Sequence, residues 1–191
     1  MEPGDIQSLV GRVQQGNYEQ FAQLFDLFQN KIYQFVYFRT HHKQTAEDIT
    51  STVFMKALES IQNYKSGKAL FSTWLYQIAR NSVIDYYRTV KENSNIEDAW
   101  GIPSSSNIER DADVARSLEK VKEHLKTLPA QQRDVVIMRV WDGLSHKEIA
   151  EVLGTSEANS KMMFSRATAK INNEVLVAMV LTFISMSSLK S

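Results

Sequence analysis

From Phe21 to Val36, apolar residues recur at intervals of three and four: Phe21, Leu24, Phe25, Phe28, Ile32, Phe35 and Val36. That is the period of an α-helix with one apolar face. It returns at Ala46, Ile49, Val53, Ala57 and Ile61, and again at Phe71, Trp74, Leu75, Ile78, Ala79, Ser82 and Tyr86. With 3 prolines and 7 glycines in 191 residues, little interrupts it. An all-α fold is expected. A short first helix runs from Asp5 to Gln15, Asn17 is a candidate cap for the second, and Thr45 opens a third with Asp48 three residues on.

Periodicity fades after about Val90. The stretch KENSNIEDAWGIPSSSNIERDAD holds Gly101, Pro103 and three consecutive serines, and reads as a linker in which Trp100 is out of character. Charge follows the same division. Residues 1–92 carry 10 Lys and Arg against 9 Asp and Glu, residues 93–116 carry 2 against 5, and residues 117–191 carry 10 against 8. An acidic segment between two mildly basic ones predicts two small helical domains, 1–92 and 114–173, joined by a flexible acidic linker, 93–113, with a tail, 174–191.

In the second domain a helix over Ala115 to Leu128 ends at Pro129, and another covers Ala130 to Trp141 before Gly143. Ser145 and Glu148 then form a capping box, Gly154 ends that helix, and Thr155 or Ser156 starts the next. Two helices joined through a Gly-Thr turn and preceded by a third make a helix-turn-helix. Ile149, Ala150 and Leu153 face inward on its first helix; Phe164, Ala167 and Ile171 do so on its second.

Several function classes find no support. The chain has no cysteine, which excludes a disulfide scaffold and thiolate-bound metal. Its four histidines show no ligand spacing, so no metal or cofactor is expected. There is no nucleophile–base pair and no phosphate-cradling glycine loop, so no catalytic residue and no small-molecule substrate are assigned. The N-terminus lacks the basic and apolar regions of a signal peptide. Net charge is zero, so a nucleic-acid role needs a partner that supplies much of the phosphate contact.

The segment LFSTWLYQIARNSVIDYYR, residues 70–88, carries a second pattern opposite its apolar stripe: Thr73, Tyr76, Gln77, Arg80, Ile84, Tyr87 and Arg88. Aromatic rings stack on unpaired bases for about 1–3 kcal/mol each, and guanidinium groups hold phosphate. The same residues also suit a solvated face or packing against a neighbouring helix.

The segments TAEDITSTVFMKAL, F-x-x-WL-x-x-IARN-x-x-x-D-x-x-R and LP-x-x-x-R-x-V-x-x-x-R-x-x-x-GLS-x-x-EIAE-x-LG occur in that order over roughly residues 18–172. Together they resemble the extracytoplasmic-function (ECF) sigma factors, promoter-recognition subunits of bacterial RNA polymerase. The resemblance implies a cytoplasmic protein that works with core RNA polymerase and promoter DNA, under an anti-sigma factor, without catalysis of its own. It implies that Asp48, Ser51, Thr52 and Met55 face the polymerase. Asn63, Tyr64, Lys65 and Ser66 would form a loop that holds an extruded base of the −10 element. Tyr76, Arg80, Asn81, Tyr87 and Arg88 would contact the opened strand. Ser156, Asn159, Lys161, Met162, Ser165 and Arg166 would face the −35 duplex. A stand-alone helix-turn-helix regulator and a sigma-like chain without activity are the rival readings.

Two departures from the family pattern bear on this. Ser51-Thr52 stands where Gln-Glu or Gln-Asp is usual. Ser160-Lys161-Met162-Met163 stands where Val-Lys-Ser-Arg is usual. That predicts a polar group at an inward position, and at Met163 a side chain unable to bind the phosphate that an arginine would hold. In the tail, Val175 to Met186 is almost wholly apolar, yet 12 residues fall short of the ~20 that span a membrane. A packed extension, an autoinhibitory segment and a docking helix are all compatible with it. Removing residues 174–191 is expected to free a surface rather than unfold the domain.

Overall fold

A computed structural model describes residues 3–93, 121 and 123–170. The linker with Trp100, the helix start near Ala115, Ile171 and the apolar tail lie outside the described residues. Among the described residues every regular element is helical. The chain divides into two compact units between Ser104 and Ser105.

The first unit holds α1 (Pro3–Gln14), α2 (Phe21–Thr40), α3 (Lys43–Glu59) and α4 (Phe71–Asn93), with 3-10 turns at Tyr18–Gln20 and Ile61–Asn63. α2 packs on both α3 and α4, α3 on α4, and α1 against α2 and α4. The apolar stripe of α2 is the centre: Leu24, Ile32, Phe35 and Val36 are fully buried. Leu9 and Val13 of α1, Val53 and Ala57 of α3, and Phe71, Leu75, Ala79 and Val83 of α4 are buried too, on the helices that pack with α2. Burying each large side chain contributes about 1.5–3 kcal/mol.

Asn17 precedes the first 3-10 turn but makes no side-chain cap, and α2 begins at Phe21. The α2–α3 connection takes two histidines. His41 adopts the left-handed conformation, φ 55°, and its amide donates to the Tyr37 carbonyl at 2.7 Å. His42 then caps α3, its Nδ1 accepting from the Thr45 amide at 3.2 Å. The cap expected at Thr45 therefore lies three residues earlier, because an imidazole nitrogen does the work of the usual hydroxyl.

The second unit holds α5 (Ala130–Val140), α6 (His146–Leu153) and α7 (Glu157–Lys170), with residues 123–127 helical ahead of Pro129. α7 packs on α5 and α6. The capping box is formed in both directions: Glu148 N donates to Ser145 Oγ at 3.2 Å, and Ser145 N donates to Glu148 Oε2 at 2.7 Å. Gly154 ends α6 at φ 65°, a conformation that favours glycine. Ser156 Oγ accepts from the Asn159 amide at 3.1 Å and so caps α7.

Two arginines of the LP-x-x-x-R-x-V-x-x-x-R segment serve the fold. The buried Arg133 turns Nη2 onto the carbonyls of Leu128, at 3.3 Å, and Lys126, at 3.4 Å. Those carbonyls end the preceding helix, where Pro129 prevents its continuation. Arg139 Nη1 donates to the Leu144 carbonyl at 2.9 Å and holds the turn into α6.

Candidate nucleic-acid interface

The segment between α3 and α4 is pinned from the far end of the sequence. Gln14 Nε2 donates to the Ile61 carbonyl at 2.8 Å and the Tyr64 carbonyl at 2.9 Å. Gln62 Nε2 returns a bond to the Gln14 carbonyl at 2.9 Å. Gln7 Nε2 donates to the Tyr64 hydroxyl at 2.8 Å, and that hydroxyl donates to the Ala69 carbonyl at 3.0 Å. With these bonds made, Asn63, Lys65 and Ser66 are exposed on a fixed backbone. No pattern within residues 61–70 signals the part played by Gln7 and Gln14; only their contacts do.

Tyr64 does not join them. It is 4% exposed and packs edge-on to Phe71, with ring centroids 5.6 Å apart. Its ring closes the core beneath the loop, which corrects the expectation that it faces a base.

Tyr76 is a second correction. It is 1% exposed and lies edge-on to Phe35 at 5.4 Å. Thr73 is buried as well. The wheel allots α4 one inward stripe, but α2, α3 and α1 cover it over a wider arc, and Thr73 and Tyr76 fall within that arc. Tyr87 is half-buried, its hydroxyl donating to the Arg39 carbonyl at 2.6 Å. Asn81, Ile84 and Arg88 are exposed and Arg80 partly so.

Beside this face lies a cleft of about 480 Å³ between the end of α3 and the middle of α4. It is lined by Lys56, Glu59, Ser60, Asn63, Ile78, Asn81 and Asp85. Two of the expected strand contacts, Asn63 and Asn81, are among its lining residues. Asp85 is a fixed position of the IARN-x-x-x-D-x-x-R pattern, but Lys56 and Glu59 are not legible as its neighbours in the sequence, because they meet it only when α3 packs on α4.

The expected polymerase face forms one surface of α3. Asp48, Ser51 and Met55 are exposed and Thr52 is partly exposed. Ser51 Oγ donates back to the Glu47 carbonyl at 3.0 Å and Thr52 Oγ1 to the Asp48 carbonyl at 2.9 Å. Both hydroxyls are thus turned onto their own helix, and the surface beside Met55 is less polar than the sequence suggests.

On α7, Ser156, Lys161, Met162, Ser165 and Arg166 are exposed, and Asn159 partly so. Asn159 Nδ2 donates to Thr155 Oγ1 at 2.8 Å, and Lys161 pairs with Glu157 at 2.7 Å. Ser160 is fully buried, as expected for an inward polar group, and meets His146 Nδ1 at 3.1 Å. Burial holds the His146 pKa below its ordinary 6.5, with Arg139 and Lys161 adding to the effect, so the ring favours its neutral form. Met163 is a third correction. It is buried with Ser160 and Ala167 on the inner side of α7, so here the methionine serves packing rather than lying open at the helix surface. Among the described residues no group of His, Cys, Asp or Glu could hold a metal, and no helix is long and apolar enough to cross a membrane.

The family model for Sigma-70 region 2 matches residues 24–92, and that for Sigma-70, region 4 matches residues 118–171. RNA polymerase sigma factor YlaC of Bacillus subtilis is 30% identical over 156 residues, 80% of this chain and 90% of that one. ECF RNA polymerase sigma factor BldN of Streptomyces coelicolor is 31% identical over 166 residues, 85% of this chain. This chain belongs to the ECF sigma factors. The match spans 62% of the length of BldN. Among solved structures, the sigma factor RpoE from Bartonella quintana, in complex with the anti-sigma factor NepR, aligns with a TM-score of 0.66 at 22% identity. That alignment covers 83% of this chain and 98% of RpoE, and shows a shared fold. The helix-turn-helix α6–α7 lies within the matched region 4, and the cleft and its loop lie within region 2. α1, which pins that loop, precedes the matched segment.

Proposed function

We propose that this ECF sigma factor directs core RNA polymerase to promoters by reading a −35 duplex with α7 and capturing one base of the opened −10 strand in the cleft between α3 and α4. The observation that carries the reading is that cleft, where Asn63 and Asn81 face one space beside the exposed Arg88. An amide can both donate to and accept from the edge of a base, and an unpaired base is reached only after the duplex opens. Asn63, Lys65, Ser66, Arg80, Asn81, Tyr87 and Arg88 are the proposed strand contacts, with Tyr87 offering only the part of its ring left uncovered by α2.

Asp48, Ser51, Thr52 and Met55 are proposed to dock on the polymerase. Ser156, Asn159, Lys161, Met162, Ser165 and Arg166 are proposed to face the −35 duplex, entering the major groove from the start of α7 as helix-turn-helix proteins do. Residues 1–92 and 114–173 would be the working domains, with 93–113 as linker and 174–191 as tail. An anti-sigma factor is the proposed regulator, by analogy with the RpoE–NepR pair. Such a protein acts where the chromosome is, in the cytoplasm.

The test is capture of core RNA polymerase by the full chain, followed by run-off transcription on a pool of promoter fragments. Polymerase binding with new transcripts supports the proposal. Paired substitution Asn63→Ala and Asn81→Ala should abolish the transcripts while leaving polymerase capture intact. Tight duplex binding without any polymerase capture would favour a stand-alone regulator instead.

A further inference from the structure

The wall of the cleft carries an arrangement that the strand-binding reading does not require. Asp85, on α4, holds one cation on each carboxylate oxygen. Lys56 Nζ of α3 lies 3.7 Å from Oδ2, and Arg88 Nη2 lies 3.3 Å from Oδ1. Lys56 also donates to Ser82 Oγ at 3.3 Å. The three charged side chains are 46%, 48% and 70% exposed for Lys56, Asp85 and Arg88. Lys56 and Asp85 line the cleft, and Glu59 adds a second carboxylate to it.

We propose that Asp85 is a specificity-determining residue, which occupies Lys56 and Arg88 so that a strand gains them only when it also places a base in the cleft. The argument rests on the reading that this cleft takes an opened strand. Backbone binding is sequence-independent and grows with every cation free to neutralise a phosphate. A carboxylate between two cations subtracts from that term. It does not subtract from contacts made to a base by Asn63 and Asn81. Exposed ion pairs are weak, so the contacts of a seated base cover the cost of breaking them, whereas a phosphate contact alone only exchanges one ion pair for another. Asp85 therefore lowers affinity for arbitrary strand more than for the right one.

The experiment measures binding of a labelled single-stranded oligodeoxynucleotide of arbitrary sequence to the holoenzyme between 50 and 200 mM salt. Each freed cation steepens the log–log salt slope by about 0.7 on single strands, so Asp85→Asn should steepen it by about 1.4. Over that fourfold salt range, the gain in affinity at the low end should exceed the gain at the high end by about sevenfold. Asp85→Ser should behave like Asp85→Asn, and Asp85→Glu, which keeps the charge, should keep the wild-type slope. Adding Lys56→Met to Asp85→Asn should remove about half of the added slope. A folded Asp85→Asn protein with the wild-type slope overturns the proposal and leaves strand capture standing. If neither wild type nor Asp85→Asn holds single strand in the holoenzyme, strand capture falls and the proposal falls with it.

Discussion

Gln7 and Tyr64 are 57 residues apart in the sequence, and the amide of one donates to the hydroxyl of the other at 2.8 Å. With Gln14, this bond makes α1 the support of the loop that flanks the cleft. A loop held in this way would need little ordering if it binds a strand as proposed.

Removing that support should loosen the loop and spare the core. Gln14→Leu should speed hydrogen exchange at the amides of Asn63 and Tyr64, whose own bonds to Ser60 and Ile61 close the 3-10 turn. Exchange in the middle of α4 should not change. Tyr64→Phe, which removes the hydroxyl from both its partners, should cost about 1 kcal/mol in denaturant unfolding. Unchanged exchange in Gln14→Leu would mean that the loop holds its shape without α1.

Tyr76 and Arg88 should respond in opposite ways. Tyr76→Ala deletes a fully buried ring and should cost about 3–5 kcal/mol of stability. Arg88→Ala touches an exposed side chain and should stay within about 0.5 kcal/mol, while weakening the holoenzyme's binding of a −10 strand that seats its base in the cleft. Chemical denaturation read beside a strand-binding assay separates the two. A stable Tyr76→Ala protein with impaired strand binding would return Tyr76 to the surface role that its helical position suggests.

How much is legible follows from how local each signal is. The stripe of α2, the capping box at Ser145 and the turn at Gly154 depend on residues within a few positions of one another, and all three are as the sequence reads. Ser160 is legible as inward for the same reason. Tyr76 and Thr73 are not, because a wheel cannot tell how many neighbours a helix has. Tyr64 misleads because a loop position with an aromatic ring looks equally suited to a base and to the core. Met163 misleads by comparison with a family arginine, although the spacing 160, 163, 167 already marks it as inner face. Gln7, Gln14 and Lys56 act across 26 to 57 residues, beyond any local pattern.

If α7 faces a −35 duplex as proposed, Arg166, exposed on α7, should behave as a phosphate contact. Arg166→Ala should weaken duplex binding similarly across sequences and flatten the log–log salt slope by about 0.9. Filter or anisotropy binding to duplexes of several sequences measures both. A loss confined to one sequence would assign Arg166 to a base edge instead.

Acid should weaken the helix-turn-helix through His146. Its folded pKa lies below the ordinary 6.5, so below about that pH the unfolded chain binds more protons than the folded one. The stabilisation is therefore present above pH 6.5 and is lost as pH falls through the folded value. Thermal melts from pH 7.5 down to 5 should show a falling midpoint, and His146→Gln should make that fall shallower. An identical pH profile in the variant would show that His146 does not titrate with folding.

The bond between His146 and Ser160 also limits how this domain can be recombined. In a helix-turn-helix held only by aliphatic contacts, one helix can be exchanged for a relative's with little more than a change of volume. Here the two helices share a polar pair whose members lie on opposite sides of the turn. A hybrid that keeps α7 but takes α6 from a chain without histidine at position 146 strands a buried hydroxyl. The reverse hybrid leaves an imidazole facing an apolar wall. Grafting a new second helix onto this scaffold means carrying residue 146 along with it.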